Sequence, residues 1–144
     1  MAVSDKAAWQ TMQSKLMATG YTPNAIIGEP RSKMQSGTVA IIPNDGNIDE
    51  TTLVGPREIH RVNLRMYRTW LEESQEEIEF LLDQFRADIA EDFFGDFNLG
   101  GNVAYALPVE LAWHFDEATI ENTVYRFLNI EVGYRIDDNA TFVE

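Results

Sequence analysis

From Val103 to Phe115 the chain places an apolar residue at every second position, Val103, Tyr105, Leu107, Val109, Leu111, Trp113 and Phe115, and a second alternation follows from about Thr123 to Ile136. Only an extended strand repeats its faces every two residues, so runs of this length demand long strands in a sheet. In the second run Val124, Leu128, Ile130, Val132, Tyr134 and Ile136 share one face, while the other still carries Tyr125 and Phe127. Pro108 removes one ladder donor and predicts an edge or a bulge at that point.

The rest of the chain supplies what such a sheet must bury against. Trp9, Met12 and Leu16 recur at helical spacing behind a cap at Ser4, with Gly20 as the stop, which predicts a helix over about 5–18. Ala25 to Gly28 reads as a short strand and Glu29 to Ser36 as an irregular connection. Thr38 to Ile42 reads as a strand meeting an Asp45-Gly46 turn, with the return through Thr51 to Val54. This predicts an extended β-hairpin with a polar tip from Asn44 to Glu50. Between Glu58 and Arg68, Val62, Leu64 and Met66 alternate with Arg61, Asn63 and Arg65, as in a half-buried strand. Ser74 and Glu77 form a capping box before the helical stripe Ile78, Leu81, Leu82, Phe85, Ile89 and Phe93, and Gly95 to Asn102 reads as a Gly-bearing turn. The predicted fold is one α+β domain over 1–144, a mainly antiparallel sheet with two helices on one face. Two helices cover one face only. The other face, with Tyr125 and Phe127, is left for a partner, and a symmetric oligomer is the commonest way to supply one.

A chain of 144 residues can bury roughly 68–70% of its unfolded surface and so build a core without staples. It has no Cys, which removes thiol nucleophiles, Cys zinc sites and disulfides. Nothing predicts a leader or a membrane span, so a soluble protein in the cytoplasm is the expectation. The net charge is −13, and −9 of it lies between residues 71 and 96, opposed there only by Arg86. Nucleic-acid binding rests on clustered Lys and Arg, so a standalone nucleic-acid binder is disfavoured. The acidic run reads either as a solvated helix face or as a functional acidic surface.

Catalytic and metal patterns are poorly served. His60 and His114 stand 54 positions apart, each without a second ligand at helix spacing. There is no Gly-x-Ser-x-Gly elbow, and Gly100-Gly101 has neither phosphate-loop spacing nor a following helix. Asp45-Gly46-Asn47-Ile48-Asp49-Glu50 resembles a calcium loop at its start, but Glu50 stands where the turn glycine belongs and Pro56 where a bidentate Glu belongs. Surface carboxylates in the acidic helix and at Asp137-Asp138 do not make an acid and base pair without a pocket. The expectation is a protein with no cofactor, no metal and no catalytic residues.

Asp96-Phe97-Asn98-Leu99-Gly100-Gly101-Asn102-Val103, after an acidic helix and before a long strand, resembles the tail terminator and tail-completion proteins of long-tailed bacteriophages. The likeness extends to the order of elements: a starting helix, an irregular stretch with a hairpin, a strand of the Arg61-Val62-Asn63-Leu64 kind, a helix, the Leu-Gly-Gly turn and two closing strands. Phe127-Leu128-Asn129-Ile130-Glu131-Val132-Gly133-Tyr134-Arg135 is similar to the family's closing strand. Pro108 departs from that pattern. Gly100 and Gly101 by themselves need be no more than a tight connection.

The resemblance implies a hexameric ring in the virion, at the head-proximal end of the tail, made in the host bacterial cytoplasm. Such a ring caps the tube of major tail protein, ends its polymerisation and presents a docking surface to the head-side connector. DNA passes it without being specifically bound. On that picture Glu76, Glu79, Asp83 and Glu91 are candidates for an acidic face toward the lumen or solvent, where carboxylates repel phosphates. Arg61, Arg65, Tyr125 and Phe127 are candidates for the subunit interface. The tip residues Asn44, Asp45, Gly46, Asn47, Asp49 and Glu50 are candidates for a segment that orders on a partner ring. Alternatives are a head-completion, neck or other tail accessory ring protein, or a small-ligand-binding α+β domain with a pocket lined by Trp113, Tyr105, Tyr125 and Phe127.

Overall fold

The computed structural model describes residues 5–49, 57–70, 73–96 and 106–136. In chain order the elements are helix α1 (Asp5–Ala18), strands β1 (Ala25–Ile27), β2 (Thr38–Asp49) and β3 (Arg57–Thr69), helix α2 (Gln75–Asp96), and strands β4 (Ala106–Ile120) and β5 (Thr123–Ile136). The strands form one sheet in the order β1-β2-β3-β5-β4, parallel between β1 and β2 and antiparallel elsewhere. This is the α+β architecture expected from the alternating runs and the two helical stripes.

Both helices lie on one face. Met12 and Leu16 of α1 and Ile78, Leu82, Phe85 and Ile89 of α2 pack with Val39, Ile41, Val62, Leu64, Met66, Leu128, Ile130, Val132 and Tyr134 in one core. The spacing that predicts the helices is the spacing that buries them. α1 stops at Gly20, which takes φ +79°, as a C-terminal glycine should. At the start of α2 the Ser74 hydroxyl accepts the Glu77 amide at 3.3 Å, which is the forward half of the capping box. The helix continues through Gly95 to Asp96, where the sequence predicts a turn.

Three further features go beyond the sequence expectation. First, β2 does not turn at Asp45-Gly46. It runs to Asp49, and the chain returns as β3 after residues 50–56, which lie outside the described residues together with Glu50 and the predicted Thr51–Val54 strand. Asn44 pairs with Arg61 and Asn47 with Ile59, so Asp45 and Gly46 together oppose His60 in a β-bulge. Second, β4 and β5 are joined by the two residues Glu121 and Asn122, both with positive φ (48° and 62°), the backbone a primed two-residue hairpin requires. Third, the Val103–Phe115 alternation is not one continuous face. Pro108 pairs with Tyr134 and Glu110 with Gly133, so a bulge at Val109 resets the alternation. β4 is also the outermost strand, so Pro108 stands at an edge and beside a bulge, as its missing donor demands. Val103, Tyr105, the Leu99-Gly100-Gly101 turn, the Ser4 cap and Asp137-Asp138 lie outside the described residues.

Candidate functional site

Two surfaces on opposite sides of the sheet carry the chain's distinctive chemistry. The sheet face away from the helices is divided in two. At the end nearest the β4–β5 turn, Tyr67, Tyr125 and Phe127 form an aromatic cluster with Ala40 and Ile42, with ring centroids 5.5–6.0 Å apart. The irregular stretch 29–36 lies across this cluster and fastens to it. The Tyr125 hydroxyl accepts the Met34 amide at 3.0 Å and donates to the Met34 carbonyl at 3.3 Å, so one side chain satisfies both polar groups of a non-strand residue. The Lys33 amide donates to a Glu121 carboxylate oxygen at 3.2 Å, which gives the strained turn residue a binding role.

This strap corrects the interface expectation for Tyr125 and Phe127. Tyr125 is 1% exposed and Phe127 6%, both covered within the chain. It corrects the pocket alternative too. Trp113 pairs in register with the core residue Ile130 on the helix side and lies under the Arg86 guanidinium of α2, 5.0 Å from the ring centroid. It therefore cannot line a cavity with Tyr125 and Phe127 on the opposite face.

A Tyr125→Phe variant is expected to lose about 1–2 kcal/mol of strap stability, because the Met34 amide and carbonyl then lose their partner. Limited trypsinolysis checks it. Cleavage after the exposed Arg31 and Lys33 should accelerate by about tenfold in the variant, with the far-ultraviolet spectrum unchanged.

Beyond the strap the face is polar and open. Arg65 donates through Nε to the Asn129 side-chain oxygen at 3.0 Å and through Nη1 to the Tyr67 hydroxyl at 3.3 Å, and its guanidinium stacks 4.6 Å from the Phe127 centroid. His114, exposed on β4, meets Phe127 edge-on at 6.4 Å. Four residues along β3, Arg61 donates to Asn47 at 2.7 Å, and Asn63 accepts from Asn44 at 3.3 Å. The expected interface residues Arg61 and Arg65 thus share this face. Asn44, Asp45, Gly46 and Asn47, expected at a hairpin tip, lie on the bulge beside it, exposed, and nothing in the structure assigns them a partner protein. Asp49 belongs to β2 and Glu50 is outside the described residues.

Burial pushes the Tyr67 phenol above its usual value near 10, against the lowering effect of Arg65. The folded state therefore prefers the neutral phenol. Its contribution is fully present below pH 10 and is lost as pH rises from the unfolded value through the folded one. Alkaline unfolding followed by fluorescence should be less steep above about pH 10 in Tyr67→Phe than in the parent.

The second surface is the outer face of α2. Glu76, Glu77, Phe80, Asp83, Gln84 and Glu91 point away from the buried stripe, and Phe80 is 66% exposed. The four acids expected on one functional face divide here. Glu79 accepts Arg126 at 2.8 Å toward the sheet, and Asp83 accepts Arg86 at 2.8 Å, so both are ion-paired within the chain. Glu76 and Glu91 are exposed. Phe80, which the apolar periodicity does not single out, stands on the pole opposite the Ile78, Leu82, Phe85 and Ile89 stripe. Among the described residues no group of three His, Asp or Glu could hold a metal, and no helix is long and apolar enough to cross a membrane.

No protein-family model matches the chain, and no curated protein matches it significantly.

Proposed function

We propose that this chain is a virion structural protein that caps a phage tail tube as a ring, ends tube polymerisation and offers a docking surface to the head-side connector. The observation that carries this is the order of elements: a leading helix, an irregular stretch, the β2–β3 pair, an acidic helix and a closing antiparallel pair, the order on which the resemblance to tail terminators rests. A net charge of −13 favours passage of DNA over its retention. The tube protein and the connector are the partners, and no bond is made or broken.

Light scattering of the purified protein, followed by negative-stain imaging with assembled tail tubes, tests the proposal. A ring of about six 16.4 kDa subunits, free or at tube ends, is the expected result. A protein that is monomeric and leaves tail tubes undecorated overturns it.

A further inference from the structure

The two edges of the sheet are finished differently. On the outer side of β2 the Val39 amide donates to the Asn24 carbonyl at 3.0 Å and the Ile41 carbonyl accepts the Gly28 amide at 2.8 Å, so the odd-numbered residues there face outward. The next is Pro43, which has no N–H, and after it the Asp45 amide is capped by the Asn44 side chain at 2.7 Å. β1 is covered in turn at Ala25, whose carbonyl accepts the Gln13 side chain at 2.8 Å. This edge is closed as far as its bulge. At the other edge, Ile120 pairs with Thr123 across a two-residue turn, which makes theirs a hydrogen-bonded pair. Even-numbered residues from Ile120 back to Ala112 therefore bond to β5, and the odd ones from Thr119 to Leu111 aim their N–H and C=O groups away from the sheet. The Glu117 amide is capped by the Asp116 carboxylate at 2.8 Å, and Pro108 has no donor to offer. Between these two stops the outward main-chain groups of Leu111, Trp113 and Phe115 have no partner among the described residues. Their side chains share the helix side of β4, where Trp113 is 48% exposed and Leu111 and Phe115 are half-buried.

We propose that the Leu111–Phe115 window takes an extended segment of a different protein as an antiparallel sixth strand, with apolar side chains at alternate positions over Leu111, Trp113 and Phe115 and a Lys or Arg at each end. Main-chain bonds supply the affinity, and the apolar stripe sets the register. Charge selects the ends. β4 carries no Lys or Arg, and its acids Glu110 and Asp116 stand three positions either side of Trp113, with Glu117 beyond. The arginines nearby are engaged within the chain, Arg126 with Glu79, Arg86 with Asp83, and Arg65 with Asn129 and Tyr67. The same acids disfavour a second copy as the occupant, because two-fold pairing of this window with itself about Trp113 sets Glu110 opposite Asp116 twice. The inference stands apart from the ring reading, since the window is complete in one copy.

The fluorescently labelled peptide Lys-Val-Thr-Ile-Thr-Val-Lys tests it on the unaltered protein, by anisotropy and by residue-resolved amide exchange. Binding should slow exchange of the Leu111, Trp113 and Phe115 amides by about tenfold or more, and leave Ala112 and His114, already in the β4–β5 ladder, unchanged. N-methylation of the peptide's Ile amide, which faces β4, should weaken binding by about tenfold, while N-methylation of the adjacent Thr amide, which faces away, should not. Glu110→Gln combined with Asp116→Asn should weaken it by about fivefold at low salt. Indifference to which amide is methylated, protection that appears elsewhere in the chain, or no binding at about 1 mM peptide overturns the inference. So does protection of the Leu111, Trp113 and Phe115 amides in the protein alone that is lost on dilution, since the window would then belong to a second copy. None of these outcomes bears on the ring reading, which fails only by its own test.

Discussion

Replacing Glu73 by alanine is expected to cost about 3–5 kcal/mol, the range for removing one partner of a buried ion pair. Glu73 takes both carboxylate oxygens to the Arg68 guanidinium, at 3.0 and 2.9 Å, and also accepts the Ser36 hydroxyl. Ser36 in turn accepts the Thr69 amide at 3.2 Å. The pair is 17% and 11% exposed, so water replaces the lost carboxylate only in part. Arg68 Nε already lacks a partner among the described residues, so the alanine variant leaves a buried guanidinium with little compensation. The network also ties three distant segments together: the entry to β2, the end of β3 and the start of α2. The Gly37 amide donates to the Tyr67 carbonyl at 2.7 Å, and Thr22 donates to the Gly37 carbonyl at 2.6 Å. Urea unfolding should show the loss as a lower midpoint. Asp83→Ala gives the contrast, since its i,i+3 pair with Arg86 has an acid 61% exposed and should cost well under about 1 kcal/mol. Equal losses in the two variants would show that Glu73 acts as a surface acid.

These two ion pairs illustrate what a sequence of this kind discloses. Asp83 and Arg86 are three residues apart on a predicted helix, and their contact can be read from spacing. Glu73 and Ser36 are 37 residues apart and join only because the sheet brings β3 alongside β2. The same division runs through the fold. Both helices and the strands β3 and β5 are legible because their apolar residues repeat at 3.6 or 2 positions, and Pro108 marks an edge and a bulge because it lacks a donor. The strap over Tyr125 has no period and one apolar anchor, Met34, and is held by a hydroxyl 91 residues away. Alternation shows that Tyr125 and Phe127 share a face. It does not show what covers that face, and the cover here is the chain's own connection. The Glu121-Asn122 turn escapes notice for a related reason: it contains no Gly, and Glu121 takes its left-handed position while holding the Lys33 amide. Within the candidate site, the sharing of one face by Arg61 and Arg65 is legible from alternation. The Asn129 anchor of Arg65 comes from a strand 64 residues away, and Phe80 is visible only once the buried stripe is set against the opposite pole.

Gly46→Ala is expected to destabilise the protein by about 2–3 kcal/mol, the upper part of the range for forcing a group into filled space. A dipeptide Asp-Gly flanked by apolar residues ordinarily marks a hairpin turn, where glycine supplies positive φ. Gly46 does not have positive φ, and its role is different. It sits in the bulge of β2 opposite His60, where the partner strand comes so close that an added Cβ would stand 2.5 Å from the Ile59 carbonyl oxygen. That atom is backbone, fixed in the ladder between β2 and β5, and cannot swing aside as a side-chain tip could. Relief requires separating β2 from β3 at the bulge, and that disturbs Asn44, Asn47 and the hydrogen bond that Arg61 donates to Asn47. The neighbouring change Asp45→Asn keeps the local polarity and adds no atom toward Ile59, so it should leave stability within about 0.5 kcal/mol of the parent. Amide exchange distinguishes a close approach from a turn. In Gly46→Ala, protection should fall across the β2–β3 pairing and much less in the β4–β5 hairpin, which shares no ladder with β2. A variant with parental stability and parental exchange would mean that Gly46 has room for a side chain and that the bulge is not the close approach described here.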